Sequence, residues 1–157
     1  MDFAPSLLLH LQARWVFQTG EPTRSLPSQG CWLMAKCVLL VDDSWLIRKT
    51  LRQIFEGAGF EVCGELGDGD QAVKQAPVLK PDLIVLDLSM PRLNGLQAAP
   101  LLRRALPHVP IILFTIYPTL ALQHNAEVAG VTSVISKDNS ISCLVNEAEK
   151  LVGRKAA

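Results

Sequence analysis

The chain has 157 residues, enough for one domain rather than two. Hydrophobic residues make up 49% and aromatics only 6%, so the core is expected to be aliphatic, and 15 basic residues balance 15 acidic ones. That balance argues against a nucleic-acid binder, which needs a basic field, and no apolar run approaches the ~20 residues of a bilayer span.

Residues 1–33 carry Pro5, Gly20, Pro22, Pro27 and Gly30, and their apolar positions keep no sustained period. They are expected to be an irregular extension, with at most a short helix from Leu7 to Phe17, and the domain is expected over 34–157. The Leu7–Leu9 run is short, is broken by His10, and lacks both a preceding positive cluster and a clean cleavage site. No secretion signal is read there, and the cytoplasm is the expected compartment. Cys31, Cys37, Cys63 and Cys143 form no CxxC pair and no zinc spacing. Cys37 and Cys63 sit in apolar runs, so buried reduced thiols are expected, as suits a reducing cytosol. The basic pairs Arg48-Lys49 and Arg103-Arg104 read as solvated helix faces.

From Lys36 onward short apolar runs alternate with helical patterns. Cys37 to Val41 is a continuous apolar run ending in Asp42-Asp43, the pattern of a parallel strand buried on both faces. Ile47, Leu51, Ile54, Phe55 and Ala58 repeat at helical spacing, and Gly57 and Gly59 end that helix. Phe60 to Gly64 is a second strand, Gly67-Asp68-Gly69 a turn, and Asp70 to Leu79 a short helix. Leu83 to Asp87 is the third strand. The helix expected over 96–106 contains Pro100, which fits a first turn but removes a bond deeper inside, so a late start or a bend is expected. Val109 to Phe114 is the fourth strand, ending at Thr115. Pro118 suits the first turn of the next helix, which runs to about Ala129 and is capped by Gly130. Val131 to Ser136 is the fifth strand, ending at Lys137. Asp138, Asn139 or Ser140 can cap a last helix whose buried stripe is Ile141, Leu144, Val145, Ala148, Leu151 and Val152. Strands alternating with helices in this way predict an α/β fold, a doubly wound five-stranded parallel sheet with helices on both faces.

Chemistry in such sheets gathers beyond the carboxyl ends of the strands. There the sequence puts Asp42 and Asp43, then Asp87, Thr115 and Lys137. Crowded carboxylates need a cation or a retained proton. A hard divalent ion with oxygen ligands, Mg²⁺, meets that need and keeps sites for phosphate oxygens. One carboxylate can then attack phosphorus and form an acyl phosphate, while Lys137 neutralises phosphoryl oxygens and the Thr115 hydroxyl donates to them.

The segment from Lys36 to about Val152 resembles the response-regulator receiver domain of two-component signalling. The resemblance is carried by Val-Leu-Leu-Val-Asp-Asp-Ser at 38–44, Pro-Asp-Leu-Ile-Val-Leu-Asp-Leu-Ser-Met-Pro at 81–91, Asn94-Gly95, Phe114-Thr115, Ala129-Gly130-Val131 and Ser136-Lys137. It implies a flavodoxin-like strand order 2-1-3-4-5 and phosphorylation of Asp87 by a histidine kinase or phosphotransfer protein. It implies Mg²⁺ on Asp42, Asp43, Asp87 and the Ser89 backbone carbonyl, and Thr115 and Lys137 on the phosphoryl group. Val134 stands where the family often has a switch aromatic, Ile116 where a small residue is usual, and Asp138 where a cis-proline often follows the lysine. Ser89 and Tyr117 occupy the positions that tune dephosphorylation, and neither suits a water-holding role, so slow loss of the phosphoryl group is expected. With five residues after Val152, output is expected through a protein contact, at the face of helix 4, strand 5 and helix 5. Two alternatives stay open: a receiver-like binding module that is never phosphorylated, and an aspartate-nucleophile phosphatase.

Overall fold

A computed structural model of the chain describes residues 35–139 and 141–153. Its elements are β1 (Cys37–Val41), α1 (Trp45–Gly57), β2 (Glu61–Leu66), α2 (Gly69–Leu79), β3 (Leu83–Asp87), α3 (Gly95–Ala105), β4 (Ile111–Thr115), α4 (Leu120–Val128), β5 (Ser133–Ser136) and α5 (Ile141–Leu151). The five strands form one sheet, all neighbours parallel, in the order β2-β1-β3-β4-β5. The expected α/β architecture and strand order are both present.

Side chains alternate across a strand, and here both sides are covered, which is why the strands read as unbroken apolar runs. Leu39, Val41, Ile84, Leu86, Ile111 and Leu113 face one way, onto residues of α2, α3 and α4 that include Ala72, Ala76, Ala98, Ala99 and Leu102. Val38, Leu40, Leu83, Val85, Ile112 and Phe114 face the other way, onto Leu51 and Phe55 of α1 and Leu144 and Ala148 of α5. β1 and β3 are neighbours in the sheet, and the helices that follow them, α1 and α3, cover opposite faces, so their carboxyl ends border the crevice where such folds bind ligands.

Local signals set most helix starts. The Asp68 side chain accepts from Gln71 N and begins α2, Asn94 and Gln97 form a reciprocal capping box on α3, and Thr119 accepts from Leu122 N at the start of α4. Gly59 and Gly130, with φ of 83° and 85°, follow α1 and α4 in the left-handed conformation that suits glycine.

Several expectations need correction. The α3 helix does not start late: the Asn94 cap starts it at Gly95, with Pro100 inside. Pro118 lies outside α4, because Thr119 takes the capping position. Cys37 and Cys63 are half-buried rather than buried and stand side by side across β1 and β2, with Cα atoms 5.7 Å apart and their sulfurs in contact. Pairing shifts from Val38↔Val62 to Leu39↔Gly64, and this irregularity leaves Cys63 as the extra residue of β2 beside β1. Cys143 is exposed on α5. The extension over 1–33, including Leu7 to Phe17 and Cys31, and the Ser140 cap lie outside the described residues. No helix among the described residues is long and apolar enough to cross a membrane.

Candidate functional site

The ends of β1, β3, β4 and β5 converge on a cavity of about 330 Å³ whose walls include Asp42, Asp43, Asp87, Ser89, Thr115 and Lys137. These are the residues that the strand-end argument and the resemblance singled out. The apolar runs carry the chain through the core, and the first polar residue after each run meets the others at the rim.

Asp42 follows β1 and is buried. Its Oδ1 accepts from Ser44 N at 2.9 Å, a turn that leads into α1, and its Oδ2 accepts from Lys137 Nζ at 2.6 Å. Asp87 ends β3, also buried; its Oδ2 accepts from Ser89 N at 3.1 Å and its Oδ1 lies 2.8 Å from Lys137 Nζ. Asp43 is exposed at the mouth. One carboxylate oxygen from each of Asp42, Asp43 and Asp87 lies within 4.8 Å of the others. This all-oxygen set fits a hard cation such as Mg²⁺ and not a thiolate- or imidazole-bound metal.

Lys137 is held from several sides. Its backbone N donates to the Thr115 carbonyl at 2.7 Å, and its ammonium lies 5.7 Å from the centre of the Phe114 ring. Burial pulls the ammonium down, but its bonds to Asp42 and Asp87 outweigh that and hold it above the usual lysine range. Burial pushes the Asp87 carboxyl up, against the opposing pull of Lys137, and the nearby Asp42 charge adds to the rise. A single cation thus stands between two buried carboxylates. The buried Thr115 hydroxyl closes one wall, and Ile116 and Tyr117 form the rim, with the Tyr117 side chain largely in solvent.

Val134 does not join this group. It pairs with Leu113 in β5 and packs on the sheet face that carries α2, α3 and α4. Two residues have contacts that their sequence readings did not include. Arg48 is not a solvated helix residue, because its Nη1 donates to the Asp42 carbonyl at 2.5 Å and the Asp43 carbonyl at 3.3 Å. Asp68 read only as part of a turn, yet it is buried and ion-paired with Arg92 in the loop after β3. Charge alone does not tell whether a long side chain folds back onto its own backbone.

The sequence and the fold are similar to those of known proteins. The family model described as "Response regulator receiver domain" matches residues 38–149. The chain is 37% identical over 117 residues to the transcriptional regulatory protein PdtaR of Mycobacterium tuberculosis, which covers 74% of this chain but only 57% of PdtaR. It is 35% identical over 118 residues to the chemotaxis protein CheY of Thermotoga maritima, covering 75% of this chain and 98% of CheY. Among solved structures, the response regulator domain of Thermotoga maritima CheB superposes with a TM-score of 0.70 at 28% identity, over 78% of this chain and 99% of that domain.

Proposed function

Because the chain belongs to the response regulator receiver domain family, we propose that it accepts a phosphoryl group on Asp87 from a histidine kinase or phosphotransfer protein. The observation that carries this reading is Asp87 itself: a buried strand-end carboxylate, 2.8 Å from the Lys137 ammonium and within reach of two further acids. In the transfer, an Asp87 oxygen forms a bond to phosphorus as the donor's P–N bond breaks, and the imidazole leaves with the bonding pair. Lys137 loses no charge by turning from the carboxylates to the phosphoryl oxygens, and Thr115 supplies a hydroxyl donor from β4. Asp42, Asp43, Asp87 and the Ser89 carbonyl would hold Mg²⁺, which when bound supplies neutralising charge to the phosphoryl oxygens.

The chain is read as a signalling module rather than a turnover enzyme, acting only on its own aspartyl phosphate. The cytoplasm is its proposed compartment, where a kinase-borne phosphoryl group is presented. Output is assigned to a protein contact on the α4–β5–α5 face, where Leu120 and Val128 of α4 leave apolar side chains in solvent. The receiver is taken as 34–157 and residues 1–33 as dispensable, so a chain starting at Met34 should keep stability and phosphorylation.

The deciding experiment incubates the protein with acetyl phosphate and Mg²⁺ and reads intact mass. Wild type should gain one phosphoryl group and Asp87→Asn none. Equal gain in both places the acceptor elsewhere, and no gain in wild type leaves a binding module that is not phosphorylated.

A further inference from the structure

We infer that Arg48 is a positioning residue for the acidic cluster, its guanidinium holding the backbone turn that presents Asp42 and Asp43. This rests on the reading of that cluster as a Mg²⁺ site. The Arg48 side chain reaches back from the first turn of α1, and Nη1 alone meets both carbonyls, at 2.5 and 3.3 Å. Its backbone N donates to the Ser44 carbonyl at 3.1 Å, so main chain and side chain grip the same turn. The guanidinium lies between the loops after β1 and β2, where a Cβ built on Gly67 would sit 3.8 Å from Nη1. Arg48 Nε is buried with no acceptor. A buried donor without a partner is unfavourable, so this side chain is held for the bonds that Nη1 makes and not for solvation.

The two acids depend on this grip unequally. Asp42 is fixed at four atoms: its N donates to the Leu66 carbonyl, its carbonyl accepts from Arg48, and its carboxylate oxygens accept from Ser44 N and Lys137. Asp43 is exposed, and Arg48 reaches it at the carbonyl. Arg48 therefore restrains the backbone that carries the Asp43 carboxylate. Positioning and charge give opposite signs here. A cation beside a Mg²⁺ site opposes the ion, so acting by charge alone Arg48 would weaken binding and its removal would tighten it. Acting by position, its removal weakens binding. Lysine keeps the charge, but its nitrogen sits one bond closer to the backbone on a flexible stem, so it does not hold a donor fixed between both carbonyls.

The test is isothermal titration of Mg²⁺ into the metal-free full chain for wild type, Arg48→Met, Arg48→Lys and Arg52→Met, with melting followed in chelator. Arg52 lies one turn further along α1 and pairs with Glu56 and Glu65, away from the acids. Both Arg48 variants should bind Mg²⁺ about ten-fold more weakly, the scale seen when groups that orient metal ligands are removed. Arg52→Met should lose melting temperature and keep wild-type affinity. Unchanged or tighter binding in the Arg48 variants overturns the inference while leaving the metal site standing. Absence of Mg²⁺ binding in wild type overturns both. Should Arg48→Met not fold, Arg48→Lys decides, and failure of Arg48→Lys to fold without Mg²⁺ makes the role one of stability alone and overturns the inference.

Discussion

Gly95 lies directly beneath the Asp87 backbone, where a Cβ would overlap the Asp87 carbonyl oxygen and come within 2.9 Å of Leu113 Cδ1. Gly95 N also donates to the Leu88 carbonyl at 2.9 Å, so the start of α3 is pressed against the end of the strand that carries Asp87. Glycine is needed here for close approach rather than for an unusual φ. Gly95→Ala should cost about 1–3 kcal/mol, the range for overpacking a filled site, and should slow phosphoryl uptake by displacing Asp87. Urea unfolding with wild-type stability would show that the backbone can yield at no cost.

Lys137 is the cation that balances the buried pair Asp42 and Asp87. Removing one partner of a buried ion cluster leaves charge uncompensated, typically at about 3–5 kcal/mol. Lys137 is slightly exposed and two acids can still take up a proton, so the lower end applies. Lys137→Met should melt well below wild type in chelator, and Mg²⁺ should raise its melting temperature by more than it raises that of wild type. An equal Mg²⁺ response in the two proteins would show that lysine and metal do not share the neutralising role.

Asp68 offers the clearest dependence on pH. The Gln71 N–H at the start of α2 holds its carboxyl below the usual aspartate value of 3.8; burial opposes this and Arg92 adds to the lowering. A carboxyl whose folded pKa is depressed contributes stability above its unfolded value and loses it as pH falls through the folded one. Asp68→Asn keeps the cap but removes the charge that pairs with Arg92. It should lower the melting temperature at neutral pH, and the gap should close as pH falls below 3.8. A gap of constant size across the acid range would assign the loss to packing instead of charge.

The strand ends were legible because an apolar run that stops at an acid, a threonine or a lysine marks both a strand and its rim. Alternation hidden inside those runs, one face onto α2, α3 and α4 and the other onto α1 and α5, became visible only with the helices in place. What was not legible depended on register or on the direction of long side chains. The nearness of Cys37 and Cys63 follows from a pairing shift in β2 that no local pattern announces. Arg103, read as solvated, donates to the carbonyls of Pro107, Val109 and Gly130 and to Thr132 Oγ1, tying α3 to the loops before β4 and β5. Pro118 misled because a proline before a helix fits the first turn, and only the Thr119 bond to Leu122 N identifies the capping residue.

The lifetime of the phosphoryl group turns on what surrounds the line of approach to it. Hydrolysis needs a water behind the phosphorus, opposite the Asp87 oxygen, and a group that holds that water. Ser89 and Tyr117 both line the cavity that holds Asp87, and neither carries a carboxylate or amide. Ile116 adds apolar surface beside them, so water approaching over that rim meets few groups that orient it. Tyr117 lines the cavity and is 76% exposed, so its ring stands at the mouth and outside the core. Self-dephosphorylation should therefore be slow. Tyr117→Glu combined with Ser89→Asn should speed it by about 10²-fold, the lower range for a positioned acid–base group. Both side chains lie at the rim, so stability should change little. The measurement is decay of the purified phosphoprotein in Mg²⁺ after the donor is removed, read by intact mass. Rapid decay in wild type would show that the rim does not keep water out, and an unaccelerated double variant would show that these two positions do not set the rate.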